Sequence, residues 1–325
     1  MRVLIIGAAG MIGRKLSGRL ARDGAIGGKR IEAMTLYDIV RAAPHAGAAM
    51  PVAIETGDLP APGEAQRLLA AKPDIVFHLA AIVSGQAEQD FDLGYRINLD
   101  GTRAVLEAAR APGNRPRVIF ASSLAAFGAP LPDPIGDDYL VAPLTSYGTQ
   151  KAIGELLISD YTRKGFVDGL ALRLPTICVR PGKPNAAASG FFSAIIREPL
   201  AGQEAALPVS EDVMHWHASP RAAVGFLLHA AMLDGERVGP RRAFTLPGCA
   251  VTVGEQIAAL RKVAGDKVAS RIVRTPDPFV QRIIAGWPRR FDTRRARDLG
   301  FEAEQSFEDI IRVHIEDELG GVLPA

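Results

Sequence analysis

The stretch RVLIIGAAGMIG (Arg2–Gly13) decides how this chain folds. Val3–Ile6 is a continuous apolar run, the pattern of a strand buried on both faces rather than one. Gly7, Gly10 and Gly13 come next, and then a helical pattern from about Met11 to Asp23. Glycines between a strand and a helix permit a tight turn. They also let backbone N–H groups at the helix start, here those around Met11 and Ile12, approach a pyrophosphate. A glycine pattern alone is common by chance, so the strand before it and the helix after it carry the weight. The same beginning superficially looks like a secretion signal, but Val3–Ile6 is too short for one and Gly7, Gly10 and Gly13 break the apolar run.

Outward from this turn the first half keeps alternating. Strand-like runs at 33–37, 52–55, 74–80, 117–123 and 169–174 alternate with helical patterns at about 64–71, 95–111 and 146–164. Strands separated by helices of this kind mean βαβ units and a parallel sheet with helices on both faces, an α/β doubly wound fold. After Pro175 the alternation stops in a loop-like segment, 176–190, rich in Gly, Pro, Asn and Ser. Short helices come after it, two of them opened by capping-box patterns, Thr252 with Glu255 and Ser306 with Asp309. The expected organisation is a dinucleotide-binding domain over 1–175, with a return segment at about 218–247, and a smaller α+β substrate lobe from 176–217 and 248–325.

Composition excludes several classes. The 325 residues are 48% hydrophobic and 23% charged, enough for a large core, and the 33 Gly and 23 Pro are scattered rather than periodic. A net charge of +2 implies neither a nucleic-acid nor a membrane-surface partner. No unbroken apolar run reaches the roughly 18–20 residues of a membrane span. Two cysteines cannot build a disulfide framework, so a reducing cytoplasm is the expected compartment.

Asp38 stands at the end of the second strand, 25 residues beyond Gly13. A carboxylate there accepts from adenosine ribose hydroxyls and repels a 2′-phosphate, which favours NAD over NADP; Arg41 is near enough to allow some NADP use. Asp58 and Leu59 lie just after the third strand, where adenine would sit. The strongest constellation is Ser122-Ser123 at a strand end with Tyr147 and Lys151 four apart at a helix start. An ammonium beside a phenol lowers its pKa from about 10, so the tyrosine exchanges a proton near neutrality. A serine hydroxyl nearby holds a substrate oxygen and steadies the charge that develops on it.

With these residues in place, the chain resembles the extended short-chain dehydrogenase/reductases, the superfamily of NAD-dependent sugar epimerases and dehydratases. The matching residues are GAAGMIG (7–13), Asp58, HLAA (78–81), NLDGT (98–102), SSLAAFG (122–128), SYGTQK (146–151), RLPTI (173–177) and DTRRARDLGF (292–301). The resemblance implies a Rossmann-type sheet, Tyr147 as proton acceptor, Ser123 as its hydroxyl partner, and Lys151 bonding the nicotinamide ribose. It further implies that Leu79, Ala80 and Ala81 pass beneath the cofactor, that Asn98 and Ser122 support the site, and that Pro175 and Ile177 border the nicotinamide. Leu124 and Ala125 replace the acid and base that dehydratases carry, so dehydration is not expected. The segment 176–200 looks most like the branch whose members oxidise the C2 hydroxyl of a four-carbon sugar acid, D-erythronate, to a ketone. Ser84 and Thr176 are the expected substrate contacts beside Ser123 and Tyr147. Arg180, Lys183, Asn185, Ser189 and Arg197 are the further candidates for its carboxylate.

The remaining features read as structural. His215 and His217 lack a third ligand at a metal-site spacing, so no metal is expected and packing or cleft-lining is the assignment. Arg289, Arg290, Arg294, Arg295 and Arg297 are interrupted by Asp292 and Asp298 and read as a solvated helix face. Cys178, between Ile177 and Val179, reads as a small buried hydrophobe. The competing functions are a nucleotide-sugar 4-epimerase and a non-catalytic NAD-binding redox regulator; the second has no need of Ser123, Tyr147 and Lys151 together. A homodimer paired through the helices at 95–111 and 146–164 is implied by the resemblance alone.

Overall fold

Val3, Leu4, Ile5 and Ile6 are all buried, two on each side of the strand they form, which makes that strand the centre of the molecule. The computed structural model describes residues 1–182 and 189–323. Its main sheet contains β1 (Arg2–Ile6), β2 (Ala33–Asp38), β3 (Val52–Thr56), β4 (Ile75–His78), β5 (Arg117–Ser123), β6 (Asp168–Leu174) and, beyond a short β7 (Thr176–Ile177) and β8 (Met214–Ala218), β9 (Ala243–Thr245). The order across the sheet is β3-β2-β1-β4-β5-β6-β9, parallel throughout. The doubly wound parallel sheet expected from the alternation is present. Strand order reverses between β1 and β4, so a crevice opens beyond their carboxyl ends, at Gly7 and Leu79.

The helices cover both faces. On one side α1 (Met11–Asp23) buries Leu16 and Leu20, and α7 (Pro220–Met232) buries Phe226 and Leu227, against Ile5 and Leu36. Each such aliphatic side chain contributes about 1.5–3 kcal/mol. On the other side lie α2 (Glu64–Leu69), α4 (Gly101–Arg110) and α5 (Ser146–Arg163), packing Leu68, Val105, Leu106 and Ile158 under Leu4 and Ile6. A separate cluster joins α6 (Gly190–Leu200), α8 (Val253–Ala264) and α9 (Phe307–Leu319) through Phe192, Ile196, Leu260 and Ile311. Above it β7, β8 and β10 (Cys249–Thr252) make a three-stranded sheet, and α3 (Ser84–Gln89) comes after β4 on the far side of the crevice.

Several expectations change in detail. The helix expected over 95–111 is a π-helical turn, Tyr95–Asp100, running into α4. Thr252 and Glu255 form a complete capping box. At Ser306 only half forms: Asp309 N donates to the Ser306 hydroxyl, which donates in turn to the Asp309 carboxylate. Aspartate is one methylene too short to reach back to the backbone. Arg289, Arg290, Arg294 and Arg297 are exposed, as a solvated face requires, while Arg290 pairs with Asp133 and the half-buried Arg295 with Asp137, tying this segment to the loop at 133–137. Among the described residues no helix is long and apolar enough to cross a membrane.

Candidate active site

The glycines of the first turn are held by three different constraints. Gly7 has φ +92°, and a Cβ there would stand 2.5 Å from Ala80 N, so its absence lets the segment after β4 lie against the turn. A Cβ on Gly13 would lie 2.2 Å from Gly7 O, so that glycine seats α1 on the turn. Gly10 has ordinary backbone angles, and a Cβ on it would meet only Gly7 O at 3.4 Å. Nothing in the protein forbids a side chain at Gly10; what a side chain would obstruct is the space above the turn. The first internal α1 bond is Arg14 N to Gly10 O, and no side chain caps the helix. The N–H groups of Met11, Ile12 and Gly13 therefore point outward as donors, the arrangement a pyrophosphate needs.

Asp38, at the end of β2, bends over this turn. One carboxylate oxygen accepts from Ala9 N at 2.9 Å and the other from Val40 N at 3.4 Å. Asp58 pairs with Arg96 at 2.8 Å, and both remain partly exposed. Leu79, Ala80 and Ala81 are half-buried along the floor of the crevice. Asn98 sits on the π-helical turn and holds that floor: Ile82 N donates to its Oδ1 at 2.9 Å, and its Nδ2 donates to Ile82 O and to Gln150 Oε1.

Five of the expected cofactor positions keep their side chains buried or bonded within the protein. Leu59, three residues beyond β3, and Ile177, within β7, bury their side chains in the core. Asn98 spends its amide on Ile82 and Gln150. Ser122 turns away from the crevice and donates to Glu155 at 2.5 Å, since adjacent residues on a strand face opposite ways. Pro175 is also buried. These positions offer the crevice backbone or shape rather than side-chain contacts.

Alternation leaves Ser123 facing the cleft. Its hydroxyl accepts from Ala125 N at 3.2 Å and lies close enough to the Tyr147 phenol to lower its pKa. Tyr147 lies in the first turn of α5, capped by Thr145, whose hydroxyl accepts from Gly148 N at 3.1 Å. A Cβ on Gly148 would stand 2.1 Å from Ala125 O, so this glycine lets α5 approach the end of β5 and brings phenol to serine. Lys151, one turn on, donates to Ala121 O at 2.7 Å and lies 4.7 Å above the Phe120 ring and 5.5 Å from that of Tyr147. Beneath it Glu155 accepts from Ser122 and from Arg173, a bidentate ion pair that is almost fully buried.

The electrostatics differ from the expectation that Lys151 tunes the tyrosine. Burial pushes the Tyr147 phenol up, while the Ser123 hydroxyl and the positive charge of Arg180 pull it down. Lys151 is itself pushed down to about 7 by burial, with Glu155 opposing. Among the candidates for a substrate carboxylate, Arg180 is half-buried. Its backbone is held by Ser193 and Arg197, and its Nε donates to Ile177 O at 3.1 Å. Among the described residues no carboxylate pairs with it. Arg197 pairs instead with Glu198, and Ser189 lies 3.4 Å from Arg180. Ser84, half-buried, begins α3. Lys183 and Asn185 lie outside the described residues.

Thr176, half-buried just past β6, lies beside the β5 end, since Leu174 pairs with Ser123. Its hydroxyl is 2.7 Å from His215 Nε2, and His215 Nδ1 is 2.9 Å from Pro288 O. His217 meets Gln256 at 3.0 Å. Both histidines are buried, and no metal-binding cluster exists among the described residues. Cys178 is buried, its thiol bonded to Phe192 O and pushed up to about 12 by burial, an unreactive group.

Comparison with known proteins agrees with this geometry. A model described as the NAD dependent epimerase/dehydratase family matches residues 3–218. The chain is 50% identical over 321 residues, 98% of each sequence, to the D-erythronate dehydrogenase of Cupriavidus necator. It is 43% identical over 317 residues, 97% of this chain and 99% of the relative, to that of Haemophilus influenzae. The crystal structure of the nucleoside-diphosphate-sugar epimerase from Agrobacterium tumefaciens matches it with TM-score 0.98 at 62% identity, covering 100% of this chain and 96% of the other. From the glycine turn, the doubly wound sheet and these likenesses it follows that the chain belongs to the NAD dependent epimerase/dehydratase family.

Proposed function

We propose that this protein is a dehydrogenase that oxidises the C2 hydroxyl of a small sugar acid, D-erythronate, to the 2-oxo acid. The observation that carries the reading is Arg180: a half-buried cation with no carboxylate of its own among the described residues, its charge felt by Tyr147. A substrate whose reacting carbon adjoins a carboxylate supplies the missing anion. The names of the two relatives aligned over nearly their whole length point the same way. NAD, when bound, supplies the hydride acceptor.

The roles derive from position. Ser123 holds the substrate oxygen, and Tyr147, beside Ser123, takes its proton. Lys151, its ammonium 5.5 Å from the Tyr147 ring, bonds the nicotinamide ribose. Asp38 and the N–H groups after Gly10 hold the dinucleotide, and Ser84 and Thr176 flank the substrate. Residues 1–175 with 218–247 bind the cofactor, and 176–217 with 248–325 frame the substrate. Leu124 is buried in an apolar cluster with Phe127 and Trp216, so the dehydratase acid and base have no counterpart. The same proposal includes a cytoplasmic homodimer through α4 and α5, on which Leu156 is 71% exposed.

A second reading, nucleotide-sugar epimerase, is favoured by the name of the 62% identical structure. Incubation of the protein with D-erythronate and NAD, monitored by the absorbance of reduced cofactor, separates the two. NADH should form; turnover of a UDP-sugar without NADH from any aldonate overturns the assignment. Tyr147→Phe should abolish oxidation while leaving NAD affinity within about twofold. Arg180→Met should raise KM for D-erythronate at least about tenfold with NAD affinity unchanged; an unchanged KM removes Arg180 from the carboxylate.

A further inference from the structure

Thr176 has a hydroxyl that is both donor and acceptor in isolation, and its surroundings remove one of those choices. His215 is the deciding residue. Its Nδ1 faces the carbonyl oxygen of Pro288 at 2.9 Å. A carbonyl only accepts, so Nδ1 carries the proton. The ring is buried, stacked on Phe192 at 5.2 Å and an 8° interplanar angle, and packed near Trp287. No carboxylate lies against either nitrogen among the described residues, and burial holds the imidazole neutral, pushing its pKa to about 4. A neutral ring has one N–H, already placed on Nδ1, so Nε2 presents a lone pair. The Thr176 hydroxyl at 2.7 Å must then donate to it. Its remaining capacity is that of an acceptor.

Thr176 stands where a substrate would meet it. Residue 174 pairs with Ser123 at the end of β5, and the chain turns through Pro175 to present Thr176 on the same rim. Its register partner on β8 is His217, so His215 lies two residues along the same strand face. From this geometry we infer that Thr176 is a fixed hydrogen-bond acceptor that selects a substrate carrying a hydroxyl beyond the reacting carbon, with the His215–Pro288 contact as the device that fixes it. The inference deepens the sugar-acid reading above and rests on it. With the carboxylate at one end on Arg180 and the C2 oxygen on Ser123 and Tyr147, the group left for Thr176 is a C3 or C4 hydroxyl. A 2-hydroxy acid with a plain alkyl tail has no proton to give there and leaves the threonine oxygen desolvated and unpaired. His215 is thus a positioning residue that never touches substrate.

Two measurements test this. Nitrogen-15 spectra of histidine-labelled protein should show His215 as the neutral Nδ1–H tautomer at pH 7; an Nε2–H ring overturns the relay. Steady-state kinetics should then compare D-erythronate with (R)-2-hydroxybutyrate, which keeps the carboxylate and the C2 hydroxyl and loses the other two. The protein as it stands should prefer D-erythronate in kcat/KM by tenfold or more. His215→Phe, which keeps the stacked ring, should cut that preference at least fivefold, mainly through KM for D-erythronate, with NAD affinity unchanged. Thr176→Val, at a half-buried position, should do the same and serves where His215→Phe does not fold. If both acids are oxidised and neither variant changes their ratio, the acceptor role is wrong while the dehydrogenase reading stands. If no 2-hydroxy acid is oxidised and a UDP-sugar is turned over, the dehydrogenase reading fails and takes this substrate class with it.

Discussion

Gly10 and Gly13 belong to one fingerprint, yet replacing each by alanine should break different things. Gly10 sits at φ −66° and ψ 164°, angles open to any residue. A methyl there touches only Gly7 O, at 3.4 Å. Alanine restricts the unfolded chain, a gain of about 0.4–1 kcal/mol, and caps a helix slightly worse than glycine, so the net effect on stability is near zero. The methyl nevertheless stands over the outward N–H groups of Met11 and Ile12. One charge-assisted hydrogen bond lost to a pyrophosphate costs about 1.5–3 kcal/mol, roughly 10- to 150-fold in Kd. Gly13→Ala places its methyl 2.2 Å from Gly7 O and 2.7 Å from Ala8 Cα, both backbone atoms. Helix α1 must then lift from β1, an overpacking cost of about 1–3 kcal/mol and a fall of about 2–5 °C in Tm. Calorimetric titration with NAD and thermal melts of the unliganded variants separate the two effects. An unchanged NAD affinity in Gly10→Ala refutes the pyrophosphate assignment, and equal melting losses in both variants refute the reading of the turn.

Asp38→Ala should narrow the preference for NAD over NADP, measured as the ratio of kcat/KM values, because the carboxylate that repels a 2′-phosphate is gone; an unaltered ratio counts against its ribose role. Glu155→Gln should cost about 3–5 kcal/mol by stranding the Arg173 guanidinium, which is buried at 6% exposure. Replacing the pair together, Glu155→Leu with Arg173→Met, should recover most of that loss in the melt, and a double variant as unstable as the single would show the pair is not the cause. Burial holds His78 near 3, His215 near 4 and His217 well below its usual value. Below about pH 6.5 the unfolded chain takes up protons that the folded one refuses, so stability is lost as pH falls, by about 1.4 kcal/mol per pH unit for each histidine. Melting points that stay level between pH 7 and 5 would contradict that burial.

The features legible in the sequence were local ones. The glycine turn, the Tyr147–Lys151 spacing and the Thr252 cap involve residues within a few positions of one another, where backbone geometry alone sets the outcome. The inward turn of Ser122 had a usable signal, the two-residue period of a strand, which leaves only one of two adjacent serines on the cleft side. The π-helical turn around Asn98 carried no such signal, because its residues read as ordinary helix and the partners of its amide, Ile82 and Gln150, lie 16 and 52 residues away. Arg180 and His215 were hidden for a different reason. Their meaning depends on partners that meet only in the folded chain: Pro288 lies 73 residues from His215, and the absence of a carboxylate near Arg180 among the described residues is a property of the whole neighbourhood.

That absence links the electrostatics to the chemistry. Two cations approach Tyr147, and they differ in kind. Lys151 is titratable near neutrality because burial has brought it to about 7, so its charge responds to whatever lies beside it. Arg180 keeps its charge throughout the physiological range, though burial pushes its pKa down. A permanent, half-buried charge without a counter-ion costs stability until an anion arrives, and the contacts to Ile177 O and Ser189 compensate it only as dipoles. A carboxylate one bond from the reacting carbon offsets that cost while presenting its own C2 hydroxyl to Ser123. Binding and positioning are then the same event. A neutral sugar would leave the guanidinium uncompensated, and the anchor that sets the distance to Tyr147 would be lost with the charge that selects the substrate.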